Sequence, residues 1–192
     1  MDQRAIDALE RREVRELLRP SRGQLELILD APAGYGRLTT LLAELSPRAV
    51  FAVDLSLERV RCVPRLPGIV VVQADLAHLP FRPKAFDLVA CFRHFHHIRD
   101  PEDQRLRLAQ IANVARRRVL LTYYEPLSLH ALQRGFLVRL RRRKRRLGFM
   151  APTFVHAELE RLGFRVVADR ALIPWIHAQR ILLAERVGSS PT

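Results

Sequence analysis

Apolar residues along this chain fall into two rhythms. Short, nearly unbroken runs at Leu25–Leu29, Ala49–Val53, Ile69–Val72 and Phe86–Phe92 have the density of strands buried on both faces. Elsewhere the apolar positions spread to every third or fourth residue. Leu38, Leu41, Leu42 and Leu45 form one such series, and Leu106, Leu108, Ile111, Ala112 and Ala115 another; each marks a helix with one buried side. Helices are therefore expected over Arg37–Leu45, over Leu57–Val60 behind a Ser56 cap, and from Asp100 and Pro101 to Ala115. Residues 4–19 read as a surface helix, with Ile6, Leu9, Val14, Leu17 and Leu18 set among Arg and Glu, closed by Pro20 and Gly23. A fifth strand is expected over Arg118–Tyr123, and the end of the chain reads as a helix from Thr153, a strand (RVVADRAL), a strand (RILLAERV) and a loose tail over 187–192.

Strand and helix alternate with short connections and no repeat. This predicts one α/β domain over 1–192: a mostly parallel seven-stranded sheet with helices on both faces, its ligand crevice at the carboxyl ends of the strands. Three carboxylates, Asp30, Asp54 and Asp75, close three successive strands, and three in register are more than turn formers. The turn after the first strand carries Pro32, Gly34 and Gly36 and leads into a helix, offering backbone N–H groups to a nucleotide-like ligand. Its P-x-G-x-G spacing lacks the third glycine of the dinucleotide fingerprint, so a single adenosine with a small polar tail fits better than a pyrophosphate. Asp54 is spaced to reach ribose hydroxyls, and Asp75, one strand further out, to accept from an adenine amino group.

Composition changes this picture at one place. The formal charge is +13, nearly all of it arginine, since lysine occurs only at Lys84 and Lys144. It concentrates in Arg139–Arg146, where every residue but Leu140 is basic, inside a segment (126–152) that interrupts the fold after the fifth strand. Such a run exceeds one helix face and points to phosphates or an anionic membrane surface. The absence of aromatic residues within it counts against single-stranded nucleic acid. Cys62 and Cys91 have no metal or redox spacing and read as reduced core residues, and no metal is expected. The charged N-terminus is unlike a signal peptide, and no apolar run nears the roughly 20 residues of a membrane helix. The chain thus reads as cytoplasmic, with the basic run as a peripheral contact to the inner face of the membrane.

The stretches LDAPAGYGRLTTLL, VDLSLERV, QADLAHLPF and FDLVACFRHFHHI, in this order, resemble the successive motifs of class I S-adenosylmethionine-dependent methyltransferases, in their small-molecule branch. The resemblance covers roughly residues 20–125 and implies a Rossmann-like fold with an antiparallel last strand, S-adenosyl-L-methionine as cofactor, and a covering insertion at 126–152. It implies that Ala31, Pro32, Ala33, Gly34 and Gly36 wrap the methionine portion, supported by Asp30. Asp54 and the adjoining Leu55 take the ribose side, Asp75 and Leu76 take the adenine, and Phe92 and Arg93 line the sulfonium side. Pro32 departs from the family, standing where the first motif glycine is usual.

Methyl transfer needs a base only where the acceptor must lose a proton. His94, His96 and His97 follow the fourth strand at the crevice, with His96 and His97 the candidate bases. For any one of them shaping the loop is the commoner role, and the three together have poor zinc geometry. Tyr123 and Tyr124, at the end of the fifth strand, and Arg141, Arg142 and Arg143, in the basic run, are candidate substrate-binding residues; Tyr123 is equally suited to the core, with its hydroxyl at the rim. The acceptor expected is small or lipid-linked and anionic. An RNA or DNA methyltransferase is the alternative, disfavoured by the absence of an NPPY- or DPPY-type motif; a silent binding protein of the same fold is a third.

Overall fold

The computed structural model describes residues 3–21, 23–45, 48–126, 147–174 and 177–188. The candidate residues Arg141, Arg142 and Arg143, with the rest of the basic run, lie outside them.

Helix α1 (Gln3–Leu18) precedes strand β1 (Leu27–Asp30), followed by α2 (Thr39–Ala43), β2 (Ala49–Asp54), α3 (Leu57–Cys62), β3 (Ile69–Gln73), β4 (Phe86–Cys91), α4 (Pro101–Val114), β5 (Ala115–Tyr124), α5 (Pro152–Arg161), β6 (Phe164–Ala171) and β7 (Gln179–Arg186). The seven strands form one sheet in the order β3-β2-β1-β4-β5-β7-β6. Parallel pairing runs from β3 through β5, and β7 is antiparallel to both its neighbours. The carboxyl ends of β1, β2 and β4 therefore open side by side.

The sheet is coated on both faces. Ile6, Val14, Leu17 and Leu18 of α1 and Leu41 and Leu42 of α2 pack with Ile28, Val50, Leu88, Leu120 and Ile181 on one side. Leu108, Ile111 and Ala112 of α4 and Val155 and Leu159 of α5 pack with Leu29, Val89, Leu121 and Leu182 on the other. At the amino edge the fully buried Asp87 accepts the Glu26 and Leu27 backbone N–H groups at 2.9 and 3.1 Å and the Arg116 Nε at 2.8 Å. These bonds tie the starts of β1, β4 and β5 together and hold the carboxyl below its usual range, despite burial, which acts the other way.

Several boundaries differ from expectation. Helix α2 begins at Thr39, not Arg37, because residues 34–38 are spent on turns. Strand β1 starts at Leu27; Leu25 is buried ahead of it. Strand β5 extends back to Ala115, directly after α4, so the backbone passes from helix to strand without a loop. Helix α5 begins at Pro152, inside the segment assigned to the insertion, with Pro152 in the first turn, where a missing N–H costs nothing. Cys62, expected in the core, is exposed at the end of α3, while Cys91 is buried. No helix among the described residues is long and apolar enough to cross a membrane.

Candidate functional site

A cavity of about 630 Å³, within the range typical of small-molecule sites, opens at the carboxyl edge of the sheet. It is lined by every residue assigned to the cofactor from sequence except Gly36. That glycine acts from behind. Its φ is +78°, and an added Cβ would lie 2.8 Å from Pro64 Cδ, so the turn packs against the segment following α3. Gly34, at φ +58°, makes the other left-handed step.

Pro32 fits because this turn spends its flanking donors on protein. The Ala31 N–H donates to the Ala90 carbonyl at 2.9 Å and the Ala33 N–H to the Val53 carbonyl at 2.7 Å, pinning the turn to β4 and β2. A proline between them removes no donor that the turn relies on. The Asp54 carboxylate holds the turn from the side, accepting the Gly34 N–H on Oδ2 and the Ser56 N–H on Oδ1, both at 2.9 Å. Each oxygen has acceptor capacity beyond that one bond, and Arg59 Nη1 stands 3.9 Å from Oδ1. Asp75 is fixed by a bond from the Ala77 N–H to Oδ1 at 2.8 Å, beside the buried Leu76, while Leu55 stands at the rim, largely exposed.

Asp30 is almost wholly buried, and its Oδ2 accepts from Thr39 Oγ1 at 2.6 Å. Burial pushes its pKa up to about 7, against the opposing pull of Thr39 and Arg37. A carboxyl so placed gains from a cation arriving in the cavity. His94 shifts the other way: burial, then the nearby Arg107, then His97 bring its pKa down to about 4, and its buried Nε2 has no hydrogen-bond partner among the described residues. The wall thus presents a neutral imidazole and a carboxyl that a positive charge in the cavity would favour in its ionised form.

Helix α1, read from sequence as a surface element, stands behind the cavity wall and holds two of its lining residues, Arg37 and Arg93. Arg93 has φ 51°, strained for a residue with a side chain, and its N–H donates to Thr122 Oγ1 at 2.7 Å. Its guanidinium reaches Glu10 at 2.7 Å and also Asp7. Glu10 is fully buried; it pairs with Arg37 at 2.6 Å as well and accepts from Gln179 of β7. The signal in the sequence was Glu10 itself, one acid at i+4 from Ile6 and i−4 from Val14 in the apolar stripe, since a charge in a buried stripe needs a buried partner.

The remaining candidates divide. His97 lines the cavity. His96 does not: its ring stacks on Tyr124 with centroids 4.6 Å apart and touches His97 at 4.0 Å. Tyr124 also meets His177 edge-on. Tyr123 is not brought to the cavity. It is buried on the α5 side with its hydroxyl on Asp169 Oδ2 at 2.6 Å, and burial plus that carboxylate raise its pKa well above normal. Asp169 also takes His156 Nε2 and Arg180 Nε, each at 2.8 Å, and Arg180 goes on to Glu125 at 3.0 Å. Where the chain returns from the insertion, the Gly148 N–H bonds the His96 carbonyl at 2.9 Å, and a Cβ there would sit 1.8 Å from the Ile98 oxygen. The insertion therefore re-enters the described fold against the histidine turn. No group of three or more His, Cys, Asp or Glu side chains among the described residues is placed to hold a metal ion.

Residues 28–118 match a family model described as a methyltransferase domain. The sequence matches no curated protein. Among solved structures, the chain is similar to magnesium protoporphyrin IX methyltransferase from Synechocystis PCC 6803 with bound S-adenosylhomocysteine, at 19% identity and a TM-score of 0.78, covering 97% of this chain and 88% of that one. It is also similar to an S-adenosylmethionine-dependent methyltransferase from Mesorhizobium loti, at 15% identity and 0.71 over 93% and 98%, and to one from Aquifex aeolicus, at 16% and 0.68 over 97% and 94%.

Proposed function

We propose that this chain, whose fold and whose residues 28–118 are similar to those of methyltransferases, is a class I S-adenosylmethionine-dependent methyltransferase that transfers the methyl group to an O, N or C nucleophile of a small or lipid-linked, anionic acceptor. The observation that carries the site assignment is the convergence of the Ala31–Gly34 turn with Asp30, Asp54 and Asp75 on a single cavity. Bound S-adenosylmethionine supplies an electrophilic methyl on a sulfonium, open to in-line displacement. The work left to the protein is to hold the acceptor aligned, which can supply roughly 7–11 kcal/mol of the barrier. In this reading Asp54 holds the ribose through its remaining acceptor capacity, Asp75 and Leu76 take the adenine, Asp30 faces the amino-acid portion, and Phe92 and Arg93 border the sulfonium. His97 is the candidate base, in the cavity lining and adjoining the point where the insertion re-enters the fold; His96, clamped between His97 and Tyr124, orients it. The run Arg139–Arg146 draws in the anionic part of the acceptor, or the membrane surface that carries it.

Asp54→Ala is expected to weaken S-adenosylhomocysteine binding about 100-fold, as two charge-assisted hydrogen-bonding roles are lost. Calorimetric titration of a variant whose circular dichroism matches wild type makes the measurement, and equal affinities would remove the site assignment. Labelled-methyl transfer to cell extract, fractionated into lipid, nucleic acid, protein and small molecules, tests the acceptor class. Label in the nucleic-acid fraction alone would overturn it.

A further inference from the structure

The edge of the sheet opposite the cavity carries a strip of exposed positive charge. It crosses the amino ends of β2, β1, β4 and β5, which are neighbours in the sheet. Arg48 precedes β2 with its side chain two-thirds exposed, and Arg116, near the start of β5, is half exposed. Arg82 and Lys84, in the loop entering β4, are exposed and pair with no carboxylate among the described residues. Contacts join the strip into one surface. Arg48 pairs with Glu26 at 3.1 Å, the Glu26 N–H bonds Asp87, and Asp87 holds Arg116, with Arg117 Nε 3.9 Å away. The Lys84 N–H reaches the Asn113 carbonyl at 2.8 Å, just before β5 begins. Five cations, Arg48, Arg82, Lys84, Arg116 and Arg117, thus accompany two carboxylates, Glu26 and Asp87. Asp87 is wholly buried, so its pair with Arg116 presents the cation to solvent. Lys84 has φ 56°, a backbone that suits glycine or asparagine, and yet holds one of the chain's two lysines.

We infer that this amino edge is a docking surface for the phosphate backbone of a DNA duplex, bound without regard to sequence. Neighbouring strands lie about 4.8 Å apart, so the strip from β2 to β5 is about 14 Å long. That length matches the major groove of a B-form duplex, about 12 Å wide, and lets the two ends of the strip meet phosphates on its two borders. Guanidinium groups held in place by carboxylates are suited to phosphate oxygens. The exposed large apolar side chains lie off the strip, Leu66 and Val70 toward β3 and Val187 after β7, which disfavours entry into a bilayer. Among the described residues the strip carries no exposed aromatic ring on which unpaired bases could stack, which disfavours a single strand. The cavity opens at the other edge, so a duplex docked here leaves it accessible. The duplex is thereby a tether and not the methyl acceptor, and the inference stands apart from the proposed acceptor class.

The test is fluorescence anisotropy of a short labelled DNA duplex of arbitrary sequence, titrated with the full chain across a salt series. One variant combines Arg48→Ser, Arg82→Ser and Lys84→Asn, all at exposed positions, and an unchanged urea unfolding midpoint shows that it is folded. A second combines Arg141→Ser, Arg142→Ser and Arg143→Ser and controls for the basic run. The amino-edge variant is expected to bind the duplex about 10–100-fold more weakly than wild type. Its slope of log affinity against log salt should fall by about 2–3, near one for each cation removed. S-adenosylhomocysteine affinity of the wild-type protein should be the same with and without bound duplex. Wild-type affinity and slope in the amino-edge variant would overturn the inference, as would duplex binding lost only in the basic-run variant. Vesicles of phosphatidylcholine and phosphatidylserine form the other arm. Vesicle retention lost in the amino-edge variant, with duplex binding unchanged, would overturn the inference in favour of a membrane.

Discussion

The two ends of the sheet's carboxyl edge are built on opposite plans. Over β1, β2 and the turn between them, carboxylates and carbonyls hold backbone: Asp54 takes the N–H groups of Gly34 and Ser56, and the Ala90 and Val53 carbonyls take those of Ala31 and Ala33. Over β5, β6 and β7, side chains hold side chains: Asp169 gathers Tyr123, His156 and Arg180, and Arg180 continues to Glu125. The first plan fixes a main-chain shape suited to one ligand. The second stitches a strand, a helix and a hairpin together.

The sharpest way to break the comparison is to remove the hub of the second region. Asp169→Ala leaves Arg180 and His156 without their buried acceptor and is expected to cost about 3–5 kcal/mol of stability in urea unfolding. S-adenosylhomocysteine affinity should stay at the wild-type value, and a parallel loss of affinity would mean that the two regions are one unit.

Gly36→Ala attacks the first region through its backbone. A left-handed residue with a side chain, pressed at 2.8 Å against Pro64 Cδ, is expected to cost about 1–3 kcal/mol and to weaken S-adenosylhomocysteine binding by loosening the turn. Unfolding and titration on the same preparation measure both, and a stable variant with wild-type affinity would deny the turn its role.

A smaller effect sharpens the electrostatics. Asp30, with its pKa near 7 in the folded protein and faced by Thr39, Arg37 and Asp54, keeps its proton longer than in the unfolded chain. Its contribution to stability is therefore full below the unfolded carboxyl range and is lost as pH rises toward 7. A cationic ligand reverses the balance by favouring the ionised form. S-adenosylhomocysteine affinity should rise between about pH 6 and 8, by no more than about tenfold per pH unit, with proton release detectable in buffers of different ionisation enthalpy. Asp30→Asn should flatten that profile.

The contrast also explains what was legible in the sequence. Glycines, a proline and strand-ending acids are local signals, since their effect is on the backbone next to them, and Asp30, Asp54, Asp75, Leu76 and Phe92 all reach the cavity as expected. Of the two roles open to Tyr123, core or substrate contact, the sequence could not choose, because its partner Asp169 lies far along the chain and only the β5–β7–β6 pairing brings them together. Helix α1 was read by its charged exterior, and its one buried acid, Glu10, passed as another surface charge. The histidine turn was legible in position but not in orientation: strand β4 delivers His94, His96 and His97 together, and packing alone sends His97 to the cavity and His96 onto Tyr124.

The central claim is that the donor site is the cavity over β1 and β2, independent of the network over β5–β7. S-adenosylhomocysteine titrated in parallel into wild type, Asp54→Ala and Asp169→Ala tests it most directly. Near-equal dissociation constants for wild type and Asp169→Ala, with Asp54→Ala weaker by about 100-fold, are the predicted result. Equal binding by wild type and Asp54→Ala, or loss of binding in Asp169→Ala alone, would contradict it.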